Sequence, residues 1–181
     1  MNNMFTAMLA AAATKVEVPV WQSTGVWIKQ TGNITVSSAM KMTGVTVGSP
    51  GLTMYAYSRG IASQCVMHNG GSARISGGTA VGCSMTGSGY TGRIIVFGGY
   101  AIGAEVFRQG RLTVNQAGAV GVSNRVHDRG LLDVSSGGVD SGTTVFSGGT
   151  LTVSAGGTAL AVVSSAGAIV NVSARGSITY A

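Results

Sequence analysis

The chain has 181 residues, of which 30 are glycine and 2 are proline, and 9% are charged. Hydrophobic residues make up 45% of it, whereas disorder needs low hydrophobicity with high net charge. Collagen needs glycine at every third position with abundant proline. The composition therefore excludes both classes and indicates a folded chain with many tight turns.

Lysine and arginine total 11 against 5 acidic residues, which gives a formal net charge of +6. The basic residues are scattered singly from Lys15 to Arg175, without a run that is typical of a nucleic-acid-binding arm. We therefore expect solvated surface positions and no specific nucleic-acid partner. A weak preference for acidic polymers or membranes is the alternative.

The N-terminal segment MNNMFTAMLAAAATK has an apolar centre. Phe5, Met8, Leu9 and Ala12 fall at helical spacing, which predicts an amphipathic helix. A cleaved signal peptide is the alternative, although no positive charge precedes the apolar part. No apolar stretch approaches the roughly 20 residues that a membrane-spanning helix needs.

Both tryptophans, Trp21 and Trp27, lie just after this segment. The first unit of a repeat protein has to be covered, or it pairs with other chains. We interpret residues 1–30 as a helical and aromatic capping segment and residues 31–181 as the repeat domain. A ligand-contact platform formed by the two tryptophans is the alternative.

A phrase of the form Gly-x-apolar-x-apolar recurs along the chain. It begins at Gly32, Gly71, Gly92, Gly110, Gly130 and Gly149, with looser copies at Gly51 and Gly167. Successive copies are 19, 20, 21, 18, 20, 19 and 18 residues apart. We expect each repeat to hold two short strands around a glycine turn and to end near another aliphatic residue: Val66, Met85, Val106, Val126, Val145 or Val163.

A unit of this length cannot bury its own apolar face, but stacked units can. Parallel crossovers are overwhelmingly right-handed. The sequence therefore predicts an all-β fold, a right-handed parallel β-solenoid (β-helix) of about eight coils with the N-terminal cap described above. The residues expected to face inward are Ile34, Val36, Leu112, Val114, Leu132, Val134, Leu151 and Val153.

The two cysteines, Cys65 and Cys83, lie 18 residues apart and show no metal-ligand spacing. We expect buried thiols in neighbouring coils, with a disulfide as the alternative. Aligning them through Val66 and Met85 predicts that they face opposite ways, which disfavours the disulfide.

The phrases VSSGG at 134–138, VFSGG at 145–149 and VSAGG at 153–157 resemble the repeats of AIDA-type autotransporter adhesin passengers. This resemblance extends in weaker copies from about residue 32 to the end. It implies a secreted bacterial β-solenoid that acts in adhesion or self-association, with O-glycosylation of repeat hydroxyls. The matching positions are Ser136, Ser147 and Ser154.

The sequence also departs from that family, because it holds no C-terminal run of alternating strands long enough for a translocator barrel. We therefore expect either a fragment of a longer protein or a free-standing solenoid. The implied location is extracellular or on the cell surface, with the cytoplasm as the alternative.

Catalysis in a β-solenoid needs clustered carboxylates. Aligning the repeats places Asp133 and Asp140 on different faces, so we expect no catalytic residues. His68 and His127, two units apart, lie near Arg108, Arg125 and Arg129 at one edge; we expect solvated turns there, with a basic or metal-binding stripe as the alternative. No calcium, phosphate-binding or nucleophile motif is present, and no cofactor is indicated.

The function predicted is a non-enzymatic structural or adhesive solenoid. It would self-associate, end to end into fibres, or present a repetitive surface to a surface glycan or another cell-surface partner. The alternative is a carbohydrate-active enzyme, a polysaccharide lyase or depolymerase. Ice binding is disfavoured because Ile95 and Asp133 interrupt the threonine column of Thr113 and Thr152.

Overall fold

The computed structural model describes Val16–Glu17, Trp27–Ile28, Gly32–Val36 and residues 41–181, with side chains for residues 34–36 and 41–181. These residues form 22 strands, each paired in parallel with strands about one repeat away in the sequence. The strands build three faces of a β-solenoid, and each coil passes through all three in turn. The predicted N-terminal helix lies outside the described residues.

Face one carries the Gly-x-apolar-x-apolar phrases and has the longest strands. Its strands are β1 (Val16–Glu17), β3 (Gly32–Val36), β6 (Leu52–Tyr57), the first parts of β9 (Ser72–Val81) and β11 (Gly92–Ile102), β13 (Gly110–Asn115), β16 (Leu131–Ser135), β19 (Thr150–Val153) and β21 (Ile169–Val172).

Face two follows each face-one strand after a turn that we name corner one. Its strands are β4 (Lys41–Thr43), β7 (Ile61–Ser63), the second parts of β9 and β11, β14 (Ala119–Val122), β17 (Val139–Ser141), the first part of β20 (Thr158–Ser164) and β22 (Ser177–Tyr180).

Face three lies between corner two, which follows face two, and corner three, which leads back to face one. Its strands are β2 (Trp27–Ile28), β5 (Thr46–Val47), β8 (Val66–His68), β10 (Ser84–Thr86), β12 (Glu105–Val106), β15 (Arg125–Val126), β18 (Thr144–Val145) and the end of β20. Each coil thus has three strands and not the two predicted. The third was missed because it spans only two or three residues in each coil.

The core consists of aliphatic columns that run along the solenoid axis. All eight residues predicted to face inward are 0% exposed, which confirms that part of the prediction. In one column Leu112 stacks on Leu132, and Leu132 stacks on Leu151. Burying such a side chain contributes about 1.5–3 kcal/mol, so the stacked columns supply the stability that a single unit lacks.

The register corrects four of the sequence assignments. Gly32 pairs with Leu52, so the looser copy at Gly51 begins one residue early. Thr150 pairs with Ile169, which shifts the copy at Gly167 in the same way. In face three, Met67 and not Val66 is buried and pairs with Met85. Val163 pairs with the outward Thr144 and is 46% exposed, so it is not a core residue.

Two different constraints explain the Gly-Gly doublets. The first glycine has a positive φ, +87° at Gly137 and +76° at Gly156, which suits a residue without a side chain. The second packs against the preceding coil: a Cβ on Gly138 would overlap the carbonyl oxygen of Val114. The doublets are therefore turns in which one residue needs unusual backbone angles and the next needs close contact.

Corner two is a tight turn with one positive-φ residue in each coil. In successive coils this position is held by Gly44, Gln64, Gly82, Gly103, Ser123, Gly142 and Ala161. The next residue points into the core, and in two neighbouring coils it is Cys65 and Cys83, both 0% exposed.

Candidate functional site

The two cysteines occupy equivalent positions, which corrects the expectation that they face opposite ways. Val66 pairs with Ser84, so the preceding residues Cys65 and Cys83 stack in one core column. Both thiols are free. The Cys83 Sγ lies 3.3 Å from the carbonyl oxygen of Ala62, and the neighbouring Cys65 thiol together with burial raises the pKa of Cys83. The pair belongs to the core.

The three serines proposed as glycosylation sites lie at two different corners. Ser136 is exposed at corner one with a φ of +51°, and Ser154 is half-buried at the same corner one coil further on. Ser147 is exposed at corner three. The recurring SGG phrase therefore marks two kinds of turn, and no single row of hydroxyls joins the three positions.

Of the two tryptophans, Trp21 lies outside the described residues. Trp27 belongs to β2, whose backbone pairs with Thr46 of the next coil. The segment 1–30 thus contributes two strands, β1 and β2, to the described solenoid. Its role as a cap, the boundary at residue 30 and the tryptophan platform stay predictions.

A stack of three rings occupies the start of corner three. His127 lies between Phe107 and Phe146, with ring centroids 4.5 Å and 4.8 Å apart and interplanar angles of 14°. Its Nε2 lies 2.5 Å from Oε2 of Glu105, whose other oxygen lies 3.4 Å from Arg125. The flat side of each ring packs against the neighbouring ring, so the stack connects three successive coils.

His68 belongs to the same column as His127 but lies three coils away and not the two predicted, because β8, β10, β12 and β15 pair in succession. Arg108 and Arg129 are exposed nearby, and Arg129 lies 3.8 Å from Asp128. Within the described part of the chain, no three His, Cys, Asp or Glu side chains are placed to hold a metal ion.

The described acidic residues have separate surroundings. Asp133 points outward on face one, with its Oδ2 2.6 Å from Nε of Arg111, whereas Asp140 is 0% exposed on the inner side of face two. Their placement on different faces is confirmed.

On face one Thr113 pairs with Ile95 and Asp133, so the threonine column is interrupted as the sequence indicated.

A buried polar group formed by Asn124, Asp140 and Thr143 was not predicted. All three are 0% exposed, and Asp140 fits because its neighbour in the preceding coil is Gly121, where a Cβ would overlap Oδ1 of the carboxyl. Burial raises the pKa of the Asp140 carboxyl, and the nearby side chains of Thr143 and Asn124 oppose that rise only in part. Among the described residues, Oδ2 of Asp140 and Oγ1 of Thr143 nevertheless have no partner in hydrogen-bond geometry.

The last coil leaves apolar side chains at core positions uncovered. Val172 pairs with the fully buried Val153 of the coil before it, yet it is 43% exposed. Val170 and Ile178 occupy the next two core columns and are only partly buried. This coil therefore presents an apolar surface that another stacked coil would cover.

No helix in the described part of the chain has both the length and the hydropathy needed to cross a membrane. No protein-family model matches the sequence, and no curated protein matches it.

The chain is similar to a solved structure, the crystal structure of a TibC-catalysed, hyper-glycosylated fragment of TibA (residues 55–350). The two are 25% identical with a TM-score of 0.67, over 87% of this chain and 64% of the other. The chain thus spans less than two thirds of the length of that fragment. The match agrees with the stacked, parallel arrangement of the strands and confirms the predicted class of fold, a β-solenoid.

Proposed function

We propose that the chain is a non-enzymatic structural and adhesive β-solenoid, displayed outside the cell, that associates end to end. Its likeness to the TibA fragment and the resemblance of its repeats to adhesin passengers support an adhesin-like role. The observation that carries the association is the apolar surface of the last coil, where Val172 is 43% exposed at a core position.

A second copy is the occupant that we propose for this surface. All described strands run parallel, so the two ends of the solenoid are complementary, and a copy added head to tail continues the pairing in the same direction. Its first described strand of face one, β1, would pair with β21 and extend the aliphatic columns. In this arrangement residues 1–30 contribute a stacking coil, as β1 and β2 do, and do not cap the solenoid. Strand addition of this kind supplies backbone hydrogen bonds and apolar burial together.

The test compares the wild-type chain with Val172→Lys by analytical ultracentrifugation and negative-stain microscopy over a range of concentrations. We expect the wild type to form linear assemblies and the variant to stay short, because a lysine at a core position blocks stacking. Val163→Lys is the matched control, since Val163 is 46% exposed on the outer side of face three. Short wild-type particles at every concentration would contradict the proposal, as would equal effects of the two substitutions.

Glycosylation of Ser136, Ser147 and Ser154 forms a separate part of the proposal. Support comes from the exposure of Ser136 and Ser147 and from the glycosylated state of the TibA fragment. We expect co-expression with TibC to add sugar mass to the chain, with the triple Ser→Ala variant losing that mass. An unchanged mass, or a triple variant modified as fully as the wild type, would count against these positions.

A further inference from the structure

Face one carries a cluster of arginine and aromatic side chains on its outer side, in the coils of β6, β9 and β11. We name this cluster the arginine–tyrosine patch, and it consists of Tyr55, Tyr57, Arg74, Arg93 and Phe97 on face one, with Arg59 in the adjoining corner one. Tyr55 pairs in register with Arg74, so the aromatic and basic groups lie on directly neighbouring coils. The rings of Tyr55 and Tyr57 are nearly parallel, with centroids 6.0 Å apart.

The positive charges of the patch are not compensated by the described acids. Arg59, Arg74 and Arg93 are exposed, and none of them enters an ion pair with a described residue. Arg93 lies between Ser72 and Arg111 of the adjoining coils, and Arg111 is paired with Asp133. Like charges on adjacent strands disfavour each other, so an anion bound here would relieve a local excess of positive charge.

Part of the patch is already ordered. The guanidinium of Arg74 lies 4.6 Å from the centroid of the Phe97 ring, which is cation–π geometry. Stacking restricts the arginine while its N–H groups remain able to donate to a ligand, which lowers the entropy lost on binding. Tyr57, 43% exposed, adds an amphipathic ring beside these donors.

We infer that the arginine–tyrosine patch binds a carboxylate-bearing glycan, a uronic acid polymer. This inference rests on the adhesive part of the proposed function and names its partner class. Planar guanidinium groups match carboxylates in bidentate geometry. Arg74 and Arg93 lie diagonally on neighbouring coils, since Arg93 pairs with Ser72, two residues before Arg74. Affinity for nucleic acid comes mainly from the number of phosphate contacts, and three arginines without a described acidic partner supply few of them.

The test measures binding of polygalacturonate to the full chain by biolayer interferometry at physiological ionic strength, with neutral dextran and a single-stranded oligonucleotide as comparison polymers. The variant is Arg74→Gln with Arg93→Gln. The matched control is Arg108→Gln with Arg175→Gln, which removes the same charge from two exposed arginines outside the patch. Melting temperatures of all three proteins check that the substitutions leave the fold intact.

We expect the wild type to bind polygalacturonate and not dextran. The patch variant should lose about tenfold or more in affinity, because it loses charge-assisted hydrogen bonds to the polymer. The control variant keeps those hydrogen bonds and should lose less than about threefold. Equal losses, no binding by the wild type, or tighter binding of the oligonucleotide would overturn the inference. If the wild type still forms head-to-tail assemblies without binding the polymer, the inference fails alone and the association stands.

Discussion

The side-chain amide of Asn124 donates to Oδ1 of Asp140 across 2.9 Å inside the core and joins two neighbouring coils. Its own oxygen accepts a hydrogen bond from the backbone N–H of Ala104, 3.0 Å away in the coil before. One asparagine thus links three successive coils. We expect this polar link to favour one register between the coils, because the apolar contacts in neighbouring core columns are not directional.

The Asp140 carboxyl should make stability depend on pH. Its pKa is raised in the folded state by burial, so the folded chain holds the proton more tightly than the unfolded chain. Stability from this group is therefore greatest at low pH and falls as the pH rises from the ordinary pKa of 3.8 through the raised value. Asp140→Asn should raise the free energy of unfolding at pH 8 by about 1 kcal/mol or more, because it removes a buried charge.

Urea unfolding at pH 3 and pH 8 checks this prediction, because pH 3 lies below the ordinary pKa of 3.8. The gain from Asp140→Asn should be larger at pH 8 than at pH 3. Asp128→Asn is the control, because that carboxyl is 62% exposed and only loosely paired with Arg129. A destabilised Asp140→Asn variant at pH 8, or the same gain at both pH values, would show that the carboxylate is not the source of the cost.

The two glycines of a doublet should respond differently to alanine. Gly138→Ala places a Cβ against the carbonyl of Val114 and should destabilise the chain by about 3 kcal/mol or more, since the backbone of two coils has to move. Gly137→Ala meets no such overlap but has a φ of +87°, and it should cost about 1–2 kcal/mol. Chemical unfolding measures the free energy of unfolding of both variants. Equal losses of stability would contradict separate roles for the two glycines.

The sequence predicted the repeat, the parallel stacking and the core columns well because glycine and aliphatic residues recur at a nearly constant spacing. The errors at Gly51, Gly167, Val66 and Val163 are each one residue long. Successive side chains of a strand point alternately to the inner and the outer side of the sheet, so a one-residue shift turns a core position into a surface position. Variable corner lengths conceal such shifts in the sequence.

The buried Asp140 and the arginine–tyrosine patch were harder to predict than the repeat. Aligning the repeats placed Asp140 on a different face from Asp133 but did not indicate its burial, since charged residues are seldom buried. Gly121 in the preceding coil makes room for its carboxyl. The arginine–tyrosine patch needs the register between Tyr55 and Arg74, which lie 19 residues apart in the chain. An alignment of the outward positions by coil would have found it.

Corner two offers a way to stabilise the chain. Ala161 has a φ of +50°, whereas glycine holds the equivalent position in four of the other coils. Ala161→Gly should raise the free energy of unfolding by about 0.5–1 kcal/mol, because the left-handed conformation costs an L-residue about 1–2 kcal/mol and glycine returns part of that through unfolded-state entropy. Thermal and urea unfolding measure the change.

Ala155→Gly is the matched control for that variant, since Ala155 is an exposed turn residue without a positive φ. It should destabilise the chain by about 0.4–1 kcal/mol through the unfolded state alone. We expect the two substitutions to change the free energy of unfolding in opposite directions. A loss of stability in Ala161→Gly would show that the backbone at corner two relaxes around alanine.

The stacked thiols should be protected from reagents in the native protein. Cys65 and Cys83 are 0% exposed, and their contacts are with backbone carbonyls and each other. Reaction with a thiol reagent such as DTNB should therefore be negligible under native conditions and should reach two thiols per chain in denaturant, the number of free cysteines. Ser147→Cys supplies a positive control, because a thiol at that exposed turn should react at once. Fast labelling of the wild type would mean that corner two opens, and fewer than two thiols in denaturant would mean that the pair had oxidised.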